Sequence, residues 1–148
     1  MIDQIKTEEE LIIDEGIRLR RYKCTAGVWT IGVGHVILIS DNLGPDEAVS
    51  LEWCGRTLRQ DILKAWSACV KIFSIWTLEQ MTEPRQRALV NMAFQLGETK
   101  LRGFKKMIAA INAGDWETAK KECLDSKYAT QAKKRAQRVA EVLRTGKD

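Results

Sequence analysis

The helical spacing of this chain is interrupted in one stretch only, and that interruption limits the folds open to it. Residues 17–39 contain "VWTIGVGHVILI", a β-branched and aromatic run spaced by glycines that no helix would tolerate, and it predicts short strands and turns. No other stretch reads as strand. Beyond the turn cluster "SDNLGP" the apolar residues recur every three or four positions, through Leu51, Leu58, Ile62, Ala65, Trp66 and Cys69, which predicts helix. Thr82, a proline at the start of "EPRQRALVNMAFQLG" and the closing Gly97 predict a second helix. Further helices are expected at "GFKKMIAAINAG", at "DWETAKKECLDS" with Asp115 as cap, and at "AKKRAQRVAEVLRTG" closed by Gly146. At the other end, Thr7 and Glu10 read as a capping box, so a leading helix is expected from Glu8 to about Glu15, stopped by Gly16. With 148 residues and 45% apolar content the chain can bury one core unaided. The fold class is α+β: one domain over 1–148, with a leading helix, a small antiparallel β-lobe at about 17–40 and a helical lobe at about 45–148.

Charge narrows the partners without choosing one. The net charge of +4 favours polyanions, and the excess sits at the C-terminal end, where from Lys120 onward nine Lys or Arg stand against four Asp or Glu. No recognisable nucleic-acid motif accompanies that end, so a solvated helix face or a wall polyanion explains it better than nucleic acid. "MIDQIKTEEELIIDEG" is broken by acids, and no run approaches the roughly 20 apolar residues of a membrane span, so stable membrane insertion is not expected. The expected place of synthesis is the cytosol. Cys24, Cys54, Cys69 and Cys123 lie far apart, without CxxC spacing, and His35 is the single histidine; free thiols are expected, and neither a disulfide framework nor a zinc site.

Three stretches invite chemistry. "GVGH" lacks the third glycine of a dinucleotide fingerprint and has no GK[ST] after it; Gly32 and Gly34 more simply keep one side of a strand bare, so that another backbone or an extended ligand can come close. His35, among apolar residues, is expected to serve the fold, with Asp61 in "RQDI" as its carboxylate partner. Glu15 differs from both. A carboxylate in the last turn of a helix meets the negative end of the macrodipole, which favours its protonated form, and a protonated acid is what glycoside cleavage needs at the leaving oxygen. Ion pairs of Asp14 and Glu15 with Arg18, Arg20 or Arg21 explain the same acids equally well, and residue types alone leave the two readings level.

A wider pattern separates them. "DEG", then "YKCTAGVWTIGVGH", then "NMAFQLGE" and "LRGF" together resemble the lysozymes of the T-even bacteriophage type, the endolysin family of peptidoglycan-cleaving glycosidases, over nearly the whole chain. In that family a glutamate, an aspartate or cysteine after eight intervening residues, and a threonine after five more form the catalytic triad; the matching residues are Glu15, Cys24 and Thr30. The resemblance implies saccharide contacts at Val36, Phe94, Met107 and Glu122, the last two departing from the family's residue type. It also implies structural support from His35 with Asp61, from Arg135 toward Glu15 and from Arg138 with Asp14.

What the resemblance implies is a lysozyme-like fold and hydrolysis of the β-1,4 bond between N-acetylmuramic acid and N-acetylglucosamine. Glu15 would be the general acid and Thr30 would hold the attacking water. Cys24 would polarise that water or stabilise positive charge on the sugar, provided a nearby cation draws out thiolate, since a free thiol with pKa ~8.5 is mostly protonated at neutral pH. No metal or organic cofactor is implied. The expected partners are bacterial peptidoglycan and a separate holin-type permeabilising protein, the chain acting as a monomer: made in the host cytoplasm, it reaches the wall after the membrane is opened. Two rivals stay open: a catalytically impaired homologue that only binds wall polymer, and a lytic transglycosylase that ends in a 1,6-anhydro sugar.

Overall fold

The computed structural model describes residues 1–148, mostly helical with one small three-stranded antiparallel sheet, an α+β lysozyme-like architecture. In chain order it runs α1 (Gln4–Glu15), β1 (Arg18–Lys23), β2 (Trp29–Gly32), β3 (His35–Val36), a 3-10 turn at Ile39–Asp41, then α2 (Leu51–Phe73), α3 (Ile75–Glu79), α4 (Glu83–Leu96), α5 (Glu98–Arg102), α6 (Lys105–Asn112), α7 (Trp116–Leu124), α8 (Lys127–Gln131) and α9 (Lys133–Thr145). The chain divides into two compact units, one of Gln4–Leu63 and one of Met1–Asp3 with Lys64–Asp148. The division falls inside α2, whereas the sequence suggested a lobe beginning near residue 45.

In the first unit α1 begins at Gln4 instead of Glu8, and Thr7 lies within the helix at 1% exposure, so it does not stand at the N-cap. The other end follows the sequence. Gly16 takes a φ of +73° and donates its N–H to the carbonyl of Ile12 at 2.8 Å, which turns the chain sharply out of the helix. Strands β1, β2 and β3 then form an antiparallel meander in which Tyr22 pairs with Thr30 and Thr30 with Val36, while Ile31 pairs with His35. Paired residues share a face, so Tyr22, Thr30 and Val36 line one side of the sheet and Ile31 and His35 the other. The second side is packed: Ile31, Val49 and Cys54 form a buried cluster, covered by Ile37, Leu43 and Trp53.

Strand β1 carries four cations in six residues, and two of them, Arg20 and Arg21, work on the loop that follows the sheet. Arg21 donates to the carbonyls of Leu43 and Gly44, and Arg20 to that of Asp46 at 2.6 Å; the N–H of Val49 reaches the carbonyl of Leu19 at 2.8 Å. Arg18 instead lies 4.7 Å above the Tyr22 ring. In α2 the buried stripe runs through Cys54, Leu58, Ile62, Ala65 and Cys69, and Leu51, expected to belong to it, is 66% exposed.

The second unit is helical. Helix α9 packs on α4, α7 and α8, and α6 on α7, around a core that includes Leu89, Met92, Leu101, Cys123, Ala140 and Leu143. Asp115 caps α7 as expected, accepting the N–H of Thr118 at 3.1 Å, a contact type that contributes about 1 kcal/mol. Thr82 stands at the N-cap of α4 without a side-chain capping bond, and Pro84 occupies its first turn. Gly146 closes α9 in the left-handed conformation. No helix is long and apolar enough to cross a membrane.

Candidate active site

Three local features of the first unit converge. Helix α1 ends at Glu15, the Gly16 turn reverses the chain, and β1 delivers Tyr22 and then Cys24 into the hairpin that returns as β2 with Thr30. The hairpin closes through Cys24 N–H to the Val28 carbonyl at 3.0 Å and Gly27 N–H to the Cys24 carbonyl at 2.8 Å. Thr30, only 3% exposed, donates its hydroxyl to the same Val28 carbonyl at 2.9 Å, which leaves its oxygen lone pairs as acceptors.

The half-buried Cys24 is the one thiol of four pulled toward ionisation. The backbone N–H groups of Val28 and then Ala26, with the Thr30 hydroxyl adding, hold its pKa below the ordinary thiol value. A cation was expected to do this; the turn's own amides do it instead. Burial moves the others the opposite way, raising Cys54 and pushing Cys69 and Cys123 up to about 12. Tyr22 registers the same neighbourhood from its own side. Burial, then the charge of Glu15 and more weakly that of Cys24, push its phenol up, against Arg18 pulling it down. Glu15, Tyr22, Cys24 and Thr30 are therefore electrostatic neighbours. Tyr22 was not anticipated, although its place two residues before Cys24 on an alternating strand put it on the Thr30 face.

On the opposite face His35 is clamped. Its Nδ1 lies 2.6 Å from Asp61 Oδ2, as expected, and its Nε2 lies 2.9 Å from Asp41 Oδ2, a second carboxylate that the sequence did not reveal. Asp41 also accepts the N–H of Leu38 at 2.7 Å, and the Trp53 ring packs edge-on at 5.8 Å. Burial alone would lower the histidine's pKa, but the hydrogen bonds and charges of Asp61 and Asp41 outweigh it and the net shift is upward. A carboxylate oxygen faces each ring nitrogen, an arrangement that favours the protonated form, in which both nitrogens donate.

The remaining expected residues belong to the second unit, apart from Val36, which is exposed beside Thr30, and Asp14, half-buried in the last turn of α1. Phe94 is half-buried near the end of α4. Glu122 of α7 borders a cleft of about 820 Å³ lined also by Phe104, Lys105 and Tyr128. Met107, expected among the saccharide contacts, lines this cleft too, and is 1% exposed on α6. Arg135 donates Nε to Asn91 at 2.8 Å, and Arg138 is exposed on α9. No three His, Cys, Asp or Glu side chains are grouped as a metal ion would require.

Known proteins share this arrangement of sequence. The family model for phage lysozyme matches residues 13–143. Among individual relatives, the pre-baseplate central spike protein Gp5 of Enterobacteria phage T4 is 33% identical, over 93% of this chain but 27% of its own length. A probable T4-type lysozyme 2 of Dictyostelium discoideum is 32% identical over 99% of this chain and 96% of its own. An endolysin of Acyrthosiphon pisum secondary endosymbiont phage 1 is 28% identical over 73% and 68% of the two chains. With a family match that takes in α1 from Ile13, the whole sheet and the helices up to Leu143, the chain belongs to the phage lysozyme family of lysozyme-type hydrolases.

Proposed function

We propose that this chain hydrolyses bacterial peptidoglycan at the β-1,4 bond between N-acetylmuramic acid and N-acetylglucosamine, with Glu15 as general acid and Cys24 and Thr30 managing the attacking water. The observation that carries the proposal is the electrostatic grouping of Glu15, Tyr22, Cys24 and Thr30 where α1 meets the hairpin. Glu15 gives its proton to the leaving glycosidic oxygen as the bond lengthens and positive charge builds on the anomeric carbon. The Thr30 hydroxyl, which faces the Val28 carbonyl and the Cys24 thiol, accepts one hydrogen bond from a water through its oxygen. A thiolate fraction at Cys24, stabilised by turn amides, supplies negative charge beside that water and toward the developing cation. No step calls for a metal or an organic cofactor.

The second unit enters on the resemblance alone: Phe94 and Glu122 as saccharide contacts, Arg135 and Arg138 as supporting cations. Access to the wall is proposed to depend on a separate holin-type protein that opens the membrane, with a monomer as the working unit. Glu15→Gln tests the acid directly. The folded variant is expected to release fewer reducing ends from purified peptidoglycan by a factor of about 100 or more, since an amide has no proton to give. Near wild-type release by that variant would remove Glu15 from the mechanism.

A further inference from the structure

Gly32 and Gly34 look equivalent in the sequence, and both adopt left-handed backbone, with φ of +65° and +60°. Their surroundings separate them. A Cβ built on Gly32 would meet Cys54 Sγ and the Trp53 ring at 3.5 Å, an ordinary contact. A Cβ built on Gly34 would lie 2.7 Å from both Cδ and Oε2 of Glu15 and 2.9 Å from its Cγ, distances no side chain can keep. The bare side of Gly34 is therefore filled by the carboxyl group of Glu15, and not by another backbone or a ligand.

We propose that Gly34 is a positioning residue for the general acid: the missing side chain is what allows the Glu15 carboxyl to lie against the β2–β3 turn. This rests on the reading of Glu15 as the acid. The turn itself has little room to yield, because Val33 on one side is 3% exposed and His35 on the other is held by Asp61 and Asp41. The mobile partner in any clash is the end of the Glu15 side chain. A methyl group at Gly34 therefore displaces the carboxyl and leaves the fold standing, so its cost falls on catalysis. Displacement of a reacting group by about 1 Å is enough for a loss of about 100-fold.

Gly32 supplies the control, since alanine there suffers the same left-handed strain without touching Glu15. The experiment compares wild type, Gly32→Ala, Gly34→Ala, Gly34→Asn and Glu15→Gln on purified, sonicated peptidoglycan, with Tm measured for each and kinetics run where all are folded. The expected result is a similar fall in Tm for the two alanine variants. Gly32→Ala should keep kcat within a few-fold of wild type. Gly34→Ala should lose at least tenfold, and about 100-fold if the acid shifts by 1 Å, with KM changed less than threefold. Gly34→Asn should lose as much, because asparagine tolerates positive φ but still carries the offending Cβ. This second variant also decides the matter if Gly34→Ala does not fold. Gly34→Ala or Gly34→Asn within tenfold of the wild-type kcat, or a loss in Gly32→Ala as large as theirs, overturns the proposal. An active Glu15→Gln would instead strike at the acid reading itself, so the two failures are distinct.

Discussion

Cys24 is the residue on which the chemistry of this chain departs furthest from a simple carboxylate triad. Its thiol is lowered by the amides of Val28 and Ala26, while Cys54, Cys69 and Cys123 are raised by burial. Iodoacetamide should therefore modify Cys24 alone in the folded protein, with a rate that titrates below the ordinary thiol range; peptide mapping across pH checks this. Modification of a second cysteine at the same rate would contradict it. If the thiolate assists the water, Cys24→Asp should keep or raise activity and Cys24→Ala should lose most of it, about tenfold or more in kcat. A fully active Cys24→Ala would take the thiol out of the mechanism and leave Glu15 and Thr30 in place. From the sequence, Glu15, Cys24 and Thr30 could be named through the family resemblance alone, because residue types left an ion-pair reading level with the catalytic one. Tyr22 and Asp41 could not, since each gains its role from neighbours that only the folded β-lobe brings to it.

His35 ties three elements together, β3, the 3-10 turn and α2, through Asp41 and Asp61. Its pKa is raised in the fold, so the clamp binds its proton more tightly folded than unfolded. The stabilisation is therefore complete below the unfolded histidine value near 6.5 and is lost as pH rises through the higher folded value. Urea midpoints should fall over that window in wild type. In Asp41→Asn the fall should be smaller, because one of two charge-assisted bonds, each about 1.5 kcal/mol, is gone. An unchanged pH dependence in Asp41→Asn would show that the second carboxylate adds nothing. His35→Asn should lower thermal stability more than it lowers turnover where the variant is folded. Among the helices, those with long periodic stripes or clear caps could be read from the sequence, as at α4, α7 and α9. Helix α1 starts four residues before the point its sequence suggests, because Thr7 with Glu10 mimics a capping box while the fold buries the threonine mid-helix. Helices α3, α5 and α8 span five residues each, too few to show a period.

The α+β class followed from one interruption of helical spacing in the sequence, and the two units divide within a single unbroken helix, at Leu63 and Lys64. Nothing in the periodicity of α2 marks that point. Within the second unit Arg87, 3% exposed, grips Glu83 of its own helix at 3.0 Å and Asp148 at 2.5 Å, while Glu83 also accepts the N–H of Asp3. The two ends of the chain are thus tied to one buried guanidinium. Arg87→Ala should cost about 3 kcal/mol by urea denaturation, whereas Asp148→Asn, whose side chain is half exposed, should cost under about 1 kcal/mol. Equal losses would mean that the network is not centred on Arg87. The central claim, that this molecule cleaves the glycan by adding water, is tested most directly by mass spectrometry of peptidoglycan digested in water enriched in oxygen-18. Muramic acid reducing ends that carry one heavy oxygen from solvent are expected. Products lighter by one water with no label, as a 1,6-anhydro sugar would be, or a glycan left uncut, would contradict it.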